Sequence, residues 1–229
     1  MLMNGYPEGS VCWVDLGTPD IDASAAFYAE LFGWTITETD TPGYRVCAVR
    51  RLLVAGLGPA EDPGTPYWTT NISVDDIQAT ATSFEKSGAE IVVPPAAVGQ
   101  LGHAAVTRDP VGTPVSLWQP GRHCGMALTQ EPGTFAGIRL LTDQPERAAS
   151  FYQDALGWST DPGLTEFRLP DGSSAPISSG SQPLWLVAFG SNQPEIDAAR
   201  ALDLGATREG NLVLRDPTGA LFTLTNTGA

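Results

Sequence analysis

The residue types best suited to chemistry stand closest together in Val11-Cys12-Trp13-Val14-Asp15-Leu16. This stretch reads as a short apolar-rich strand, and because side chains alternate along a strand, Trp13 and Asp15 share one side. A carboxylate in apolar surroundings has a raised pKa and can act as a general base or accept a hydrogen bond. The alternative is a structural role, as a solvated strand-end Asp or the partner of an Arg. Other chemistries are poorly supplied. The chain has two histidines, His103 and His123, and three widely spaced cysteines, Cys12, Cys47 and Cys124, without a C-x-x-C pair. It has no G-x-S-x-G, no P-loop and no G-x-G-x-x-G, which puts ligand binding ahead of covalent or phosphoryl chemistry.

Composition narrows the partners. With 26 acidic against 12 basic residues the net charge is -14, which repels phosphate backbones and anionic membrane surfaces, so neither nucleic acid nor a membrane is an expected partner. Met1 to Ser10 carries no basic cluster and no apolar run, and a cytoplasmic location is expected. The odd, scattered cysteines indicate neither a disulfide framework nor a zinc knuckle, and Cys12 and Cys47 read as small core residues.

The elements that must position Trp13 and Asp15 occur twice. Thr18-Pro19-Asp20 through Phe27-Tyr28 aligns with Thr142-Asp143-Gln144 through Phe151-Tyr152, and Phe32-Gly33-Trp34 with Leu156-Gly157-Trp158. Trp68 then matches Trp185, Ser87-Gly88-Ala89 matches Leu204-Gly205-Ala206, and Arg108-Asp109-Pro110-Val111-Gly112 matches Arg215-Asp216-Pro217-Thr218-Gly219. The order holds throughout, so the chain is a tandem repeat. In each copy a strand-helix pair opens both halves. Asp20 caps a helix with Ile21, Ala25, Tyr28 and Phe32 on one face and Gly33 at its end; a second helix turns Ile77, Ala81 and Phe84 inward and ends at Gly88. Asp109-Pro110-Val111-Gly112 is a hairpin turn. The expected organisation is a first domain over 1–120, a linker over 121–133 and a second domain over 134–229, with the Gly/Pro-rich stretch Pro94 to Gly102 forming a loop at a pocket rim.

Together, Cys12-Trp13-Val14-Asp15-Leu16, Asp20, Phe27-Tyr28, Phe32-Gly33-Trp34 and the Asp-Pro-x-Gly hairpins resemble the vicinal-oxygen-chelate superfamily, which includes glyoxalase I, bleomycin-resistance proteins and extradiol dioxygenases. The resemblance implies an α+β fold in which each copy consists of two βαβββ modules forming an open curled sheet around a cavity. It also implies metal-ligand positions, which fall here on Trp13, Thr69, Ser116 and a residue near Leu57, and in the second copy on Gly137, Leu186, Thr223 and a residue near Ile177. None of these is a good metal ligand, so no metal and no cofactor are expected.

Placing Trp13 in the cavity puts Val11 and Asp15 there too, with Thr69, Asn71 and Ser73 from the fifth strand and Ser116 and Trp118 from the eighth. His123 falls in the linker and is expected to be exposed; His103 lies on a strand before the hairpin, where it could contribute one ligand contact. Trp13 and Trp118 have no aromatic counterpart in the second copy, which holds Gly137 and Thr225, and they are candidates for stacking a planar guest. Arg139 stands where Asp15 does and suits an anionic group or a structural ion pair. The functional expectation is therefore metal-independent binding of a small planar or aromatic metabolite, as in antibiotic sequestration, by Trp13, Thr69, Asn71, His103, Ser116, Trp118 and Arg139. The alternatives are a metal-free tailoring enzyme with Asp15 as catalytic acid or base, and a metal-dependent lyase or dioxygenase. The partner is a small molecule, and the protein a monomer or homodimer, because a tandem can form internally the contact that single-domain relatives make by dimerising.

Overall fold

The computed structural model describes residues 1–60, 65–180 and 182–228. The first copy runs β1 (Val11–Thr18), α1 (Ile21–Phe32), β2 (Thr35–Glu38), β3 (Arg45–Val49), β4 (Leu52–Pro59), β5 (Tyr67–Ser73), α2 (Ile77–Lys86), β6 (Glu90–Val98), β7 (Gly102–Arg108) and β8 (Pro114–Pro120). The second runs β9 (Phe135–Leu141), α3 (Pro145–Leu156), β10 (Ser159–Thr160), β11 (Glu166–Arg168), β12 (Ser174–Ser178), β13 (Leu184–Ser191), α4 (Pro194–Asp203), β14 (Thr207–Arg208), β15 (Val213–Arg215) and β16 (Leu221–Asn226). Each copy is two βαβββ modules side by side in one open eight-stranded sheet, in the order β2-β3-β4-β1-β5-β8-β7-β6 and its counterpart β10-β11-β12-β9-β13-β16-β15-β14. The modules join where β1 pairs antiparallel with β5, and β9 with β13.

Register divides each sheet into two faces. Leu16 lies opposite Trp68 and Ile72 beside Leu117, all buried under the helices. Trp13 lies opposite Asn71, Asp15 opposite Thr69, Asn71 beside Ser116 and Ser73 beside Trp118, which makes up the inner face. A register shift between Val11 and Trp13 sets Val11 opposite Ile72, on the helix side, so the alternation carried back from Trp13 to Val11 does not hold.

Local signals explain the helix ends. Asp20 accepts from Ala23 N–H at 2.9 Å, and Gly33 closes α1 at φ 70°, a left-handed position that glycine adopts without strain. Helix α2 is capped by Asp76, which accepts from the N–H groups of both Gln78 and Ala79. Of the stripe Ile21, Ala25, Tyr28, Phe32, helix α1 buries Ala25 and Tyr28 and leaves Ile21 and Phe32 half-buried. Ser24, Phe27 and Leu31 are buried too, because the second copy covers the adjoining flank, with Phe27 and Phe222 ring centroids 6.1 Å apart.

Two connecting stretches differ from expectation. Pro94 to Val98 belongs to β6 rather than to a rim loop; β6 is the sheet edge, where prolines are tolerated, and its register shifts between Ile91 and Val93 and again between Val93 and Ala96. The segment between the copies is no free linker. Met126 and Leu128 are buried, Met126 N–H donates to Cys12 O at 2.8 Å, Ala127 N–H donates to Leu53 O at 2.8 Å, and Tyr6 Oη donates to Met126 O at 2.9 Å.

The residues shared by both copies make reciprocal bonds between them. Tyr28 Oη donates to Asp216 Oδ2 at 2.9 Å and accepts from Trp68 Nε1 at 3.0 Å. Tyr152 Oη donates to Asp109 Oδ2 at 2.9 Å and accepts from Trp185 Nε1 at 2.7 Å. The other oxygen of each Asp serves its own hairpin turn: Asp109 Oδ1 accepts from Val111 and Thr113 N–H, and Asp216 Oδ1 from Thr218, Gly219 and Ala220 N–H. Tyr28→Phe strands an indole N–H and a carboxylate oxygen in a buried site, so it is expected to lower unfolding free energy by about 3 kcal/mol at nearly unchanged side-chain volume. A urea titration showing a loss below about 0.5 kcal/mol would mean that this chain does not hold the copies together.

Candidate functional site

Asp15 sits on the inner face with three neutral donors around it. Trp13 Nε1 donates to Oδ1 at 2.8 Å, Tyr44 Oη donates to the same oxygen, and Asn71 Nδ2 donates to Oδ2 at 3.0 Å. The Trp13 N–H also lies 3.1 Å from Tyr44 Oη. No cation joins the group among the described residues. Burial raises the Asp15 pKa, and the bonds from Tyr44, Trp13 and Asn71 only partly oppose it. Burial beside this carboxylate in turn pushes the Tyr44 phenol far above its ordinary range, so Tyr44 stays a donor.

Sequence reasoning missed Tyr44, which lies just before β3, outside any strand whose parity could be read. The space it occupies exists because Gly56 on β4, the register partner of Asp15, has no side chain: a Cβ there would collide with both Tyr44 Oη and Asp15 Oδ1. Gly58 gives room in the same way, its position lying 3.2 Å from Tyr44 Cδ2. The inner-face residue of β4 is therefore Gly56, while Leu57, partner of Leu16, is fully buried on the helix side.

His123, expected to be exposed in the linker, is half-buried beside this group. Its ring meets Trp13 edge-on at 4.5 Å and Trp118 at 5.6 Å, while Trp118 Nε1 donates to its backbone carbonyl at 2.9 Å. Burial lowers its pKa, favouring the neutral imidazole. Trp13 and Trp118, 4% and 8% exposed, consequently bracket His123 instead of offering open stacking surfaces. Ser116 and Asn71 are buried beside them and Thr69 is half-buried.

Two other candidates lie elsewhere. His103 is exposed and pairs in register with Gln119, whose Oε1 accepts from Ile77 N–H at the start of α2; it faces the helices, away from Trp118. Arg139 takes the inner-face position of the second sheet opposite Leu186, exposed and without an ion pair among the described residues, separate from the Asp15 group. There Gly137 stands where Trp13 does, with open space at its Cβ position.

Comparison with known proteins agrees with this architecture. The profile of the Glyoxalase/Bleomycin resistance protein/Dioxygenase superfamily matches residues 10–117, and that of a glyoxalase-like domain matches residues 138–225. The putative glyoxylase CFP32 of Mycobacterium tuberculosis (strain CDC 1551 / Oshkosh) is 30% identical over 96% of this chain and 95% of its own. The chain belongs to this superfamily. Another relative is the anthracycline biosynthesis protein DnrV of Streptomyces peucetius, 30% identical over 97% of this chain and 94% of its own. Among solved structures, the Mn(II)-bound glyoxalase from Novosphingobium aromaticivorans superposes with TM-score 0.69 at 17% identity, covering 96% of this chain and 82% of that one. Homoprotocatechuate 2,3-dioxygenase from Arthrobacter globiformis superposes with TM-score 0.67 at 14% identity, covering 97% and 81%. These two show the common fold.

The superfamily's metal does not fit the residues present. The implied ligand positions hold an indole at Trp13, hydroxyls at Thr69 and Ser116, and no side chain at Gly56. An indole N–H only donates, and this one is committed to Asp15 and Tyr44. Among the described residues no three His, Cys, Asp or Glu converge. The chemistry available is that of Asp15, Tyr44 and His123.

Because burial raises its folded pKa, Asp15 binds a proton in the folded chain at a pH where the unfolded chain has released it. Its contribution to stability is therefore greatest below the unfolded pKa and falls as pH rises through the folded one. The difference in urea midpoint between wild type and Asp15→Asn is expected to shift in favour of wild type as pH is lowered from 7 toward 4. A pH-independent difference would show that the carboxyl is not perturbed.

Proposed function

We propose that the inner face of the first sheet binds a small planar or aromatic secondary metabolite without a metal, held by a hydrogen bond to Asp15. The observation that carries this reading is a partly buried carboxylate met only by neutral donors, with Oδ2 taking one bond from Asn71 and keeping acceptor capacity. A guest hydroxyl or N–H completes that capacity. The half-buried imidazole of His123, backed edge-on by Trp13 and Trp118, offers an aromatic neighbour in place of a bare indole, and the hydroxyls of Thr69 and Ser116 add polar contacts on the same face. Similarity to anthracycline biosynthesis proteins supports a polycyclic aromatic guest carrying phenolic hydroxyls. Holding such a compound without turnover would serve self-resistance by sequestration.

A second reading treats Asp15 as the acid or base of a tailoring reaction. It is favoured by the raised Asp15 pKa, with Tyr44 and Asn71 orienting the carboxyl as fixed donors. Fluorescence titration of an anthracycline into chelator-treated protein, with product analysis of the same mixture, separates the two. Binding unaffected by the chelator, weakened about tenfold or more by Asp15→Asn as expected for a lost bond to a charged acceptor, and yielding no product supports binding. Product formation abolished by Asp15→Asn with binding retained supports the enzyme. Affinity restored only by added divalent metal would overturn both.

A further inference from the structure

The junction of the two copies forms a groove of about 710 Å³ lined by equivalent residues from each: Pro66 and Pro183, Arg108 and Arg215, Gly112 and Gly219. Both guanidiniums are held alike. Arg108 Nη1 donates to Gly112 O at 3.0 Å, and Arg215 Nη1 to Gly219 O at 2.8 Å. Their charges are not answered alike. Arg215 Nε also pairs with Glu209 Oε1 at 2.9 Å. Three residues on from Ala206 stands Glu209, and three residues on from its counterpart Ala89 stands Val92, which lines the groove and is 42% exposed. Glu90, opposite Arg108 in the hairpin register, makes no ion pair with it. Where the second copy has a neutralising carboxylate the first presents apolar surface, and Arg108 keeps an unanswered charge among the described residues.

We infer that this groove binds a small amphipathic carboxylate, its anionic head on Arg108 and its apolar body against Val92 and Leu184. With Nη1 engaged by Gly112, the remaining Nε and Nη2 edge has the fork geometry that a carboxylate meets with two parallel bonds. Anchoring by the turn carbonyl limits the side-chain freedom lost on binding. The vacant place is the one that the second copy fills with its own carboxylate.

Calorimetric titration of 2-naphthoate into the full chain, with 2-naphthamide and inorganic phosphate as controls, tests this. Naphthoate is expected to bind saturably and at least tenfold more tightly than either control. Arg108→Gln, and separately Val92→Glu, which brings a carboxylate back beside Arg108, are each expected to weaken it at least tenfold; both side chains are exposed, so folding should persist, as circular dichroism would show. Asp15→Asn should leave it unchanged. Absence of binding, indifference to Val92→Glu, or equal binding of phosphate would overturn the inference. So would loss on Asp15→Asn without loss on Arg108→Gln, which would place the naphthoate on the inner face.

Discussion

Two buried carboxylates, Asp109 and Asp216, each draw donors from both copies, and the architecture is organised around satisfying them. A buried carboxylate without partners is strongly unfavourable, so each Asp accepts backbone N–H groups of its own hairpin turn on one oxygen and the other copy's Tyr hydroxyl on the second. Separating the copies would strand both carboxylates and, behind them, the hydroxyl partners of Trp68 and Trp185. The contact is therefore internal to one chain and self-complementary, as in a twofold dimer. It also fixes the turns that hold Arg108 and Arg215, because the glycine carbonyls accepting from those guanidiniums belong to the loops that the aspartates close.

This frame uses the helix sides of the sheets and the hairpin turns, and it leaves the inner faces free to differ. In the first copy Gly56 and Gly58 remove the side chains that would exclude Tyr44, and the segment carrying His123 folds back over Trp13 and Trp118. The second copy has Gly137, Arg139 and Ala188 in the matching places, with no hydrogen bond from the Arg139 side chain among the described residues. Equal scaffolds thus carry unequal inner faces, and the hydrogen-bonded group around Asp15 belongs to the first.

Legibility in the sequence followed the same division. Residues that recur between copies disclosed the repeat, the modules and the helix ends, because capping and turn chemistry are local. Their bonding across the copies was not legible: Tyr28 and Asp216 lie far apart in the chain and nothing local announces that they meet. On the inner face, parity from Trp13 places Asp15, Asn71, Ser116 and Trp118 as the register does and breaks at Val11, where a register shift intervenes; His103, named only for its strand, lies one residue out of phase with Ala104, the partner of Trp118. His123 escaped because a Gly/Pro-rich segment reads as a linker whether or not it packs. Gly56-Leu57-Gly58 was the available clue to Tyr44, since two glycines alternating on a strand leave a gap on one face that another side chain can fill.

Under the proposed function, a carboxylate in place of a metal changes the polarity of the guest. A cation at the centre of such a sheet gathers oxygen anions; a carboxylate surrounded by neutral donors does the opposite. At an effective dielectric near 20, an anionic oxygen placed about 4 Å from an ionised Asp15 would be disfavoured by about 4 kcal/mol, far more than stacking on a neighbouring aromatic ring could offset. A phenol or amine presents a donor and is favoured instead. Under the proposed function, while Asp15 is ionised the inner face would suit neutral or cationic donors and disfavour the chelating dianions that a metal would hold, whereas an anion would be received by Arg108 in the groove between copies. On these two proposals the inner face and the groove between copies would differ in the sign of charge they accept, and a compound carrying both a phenol and a carboxylate would be sorted between them by its ionisation.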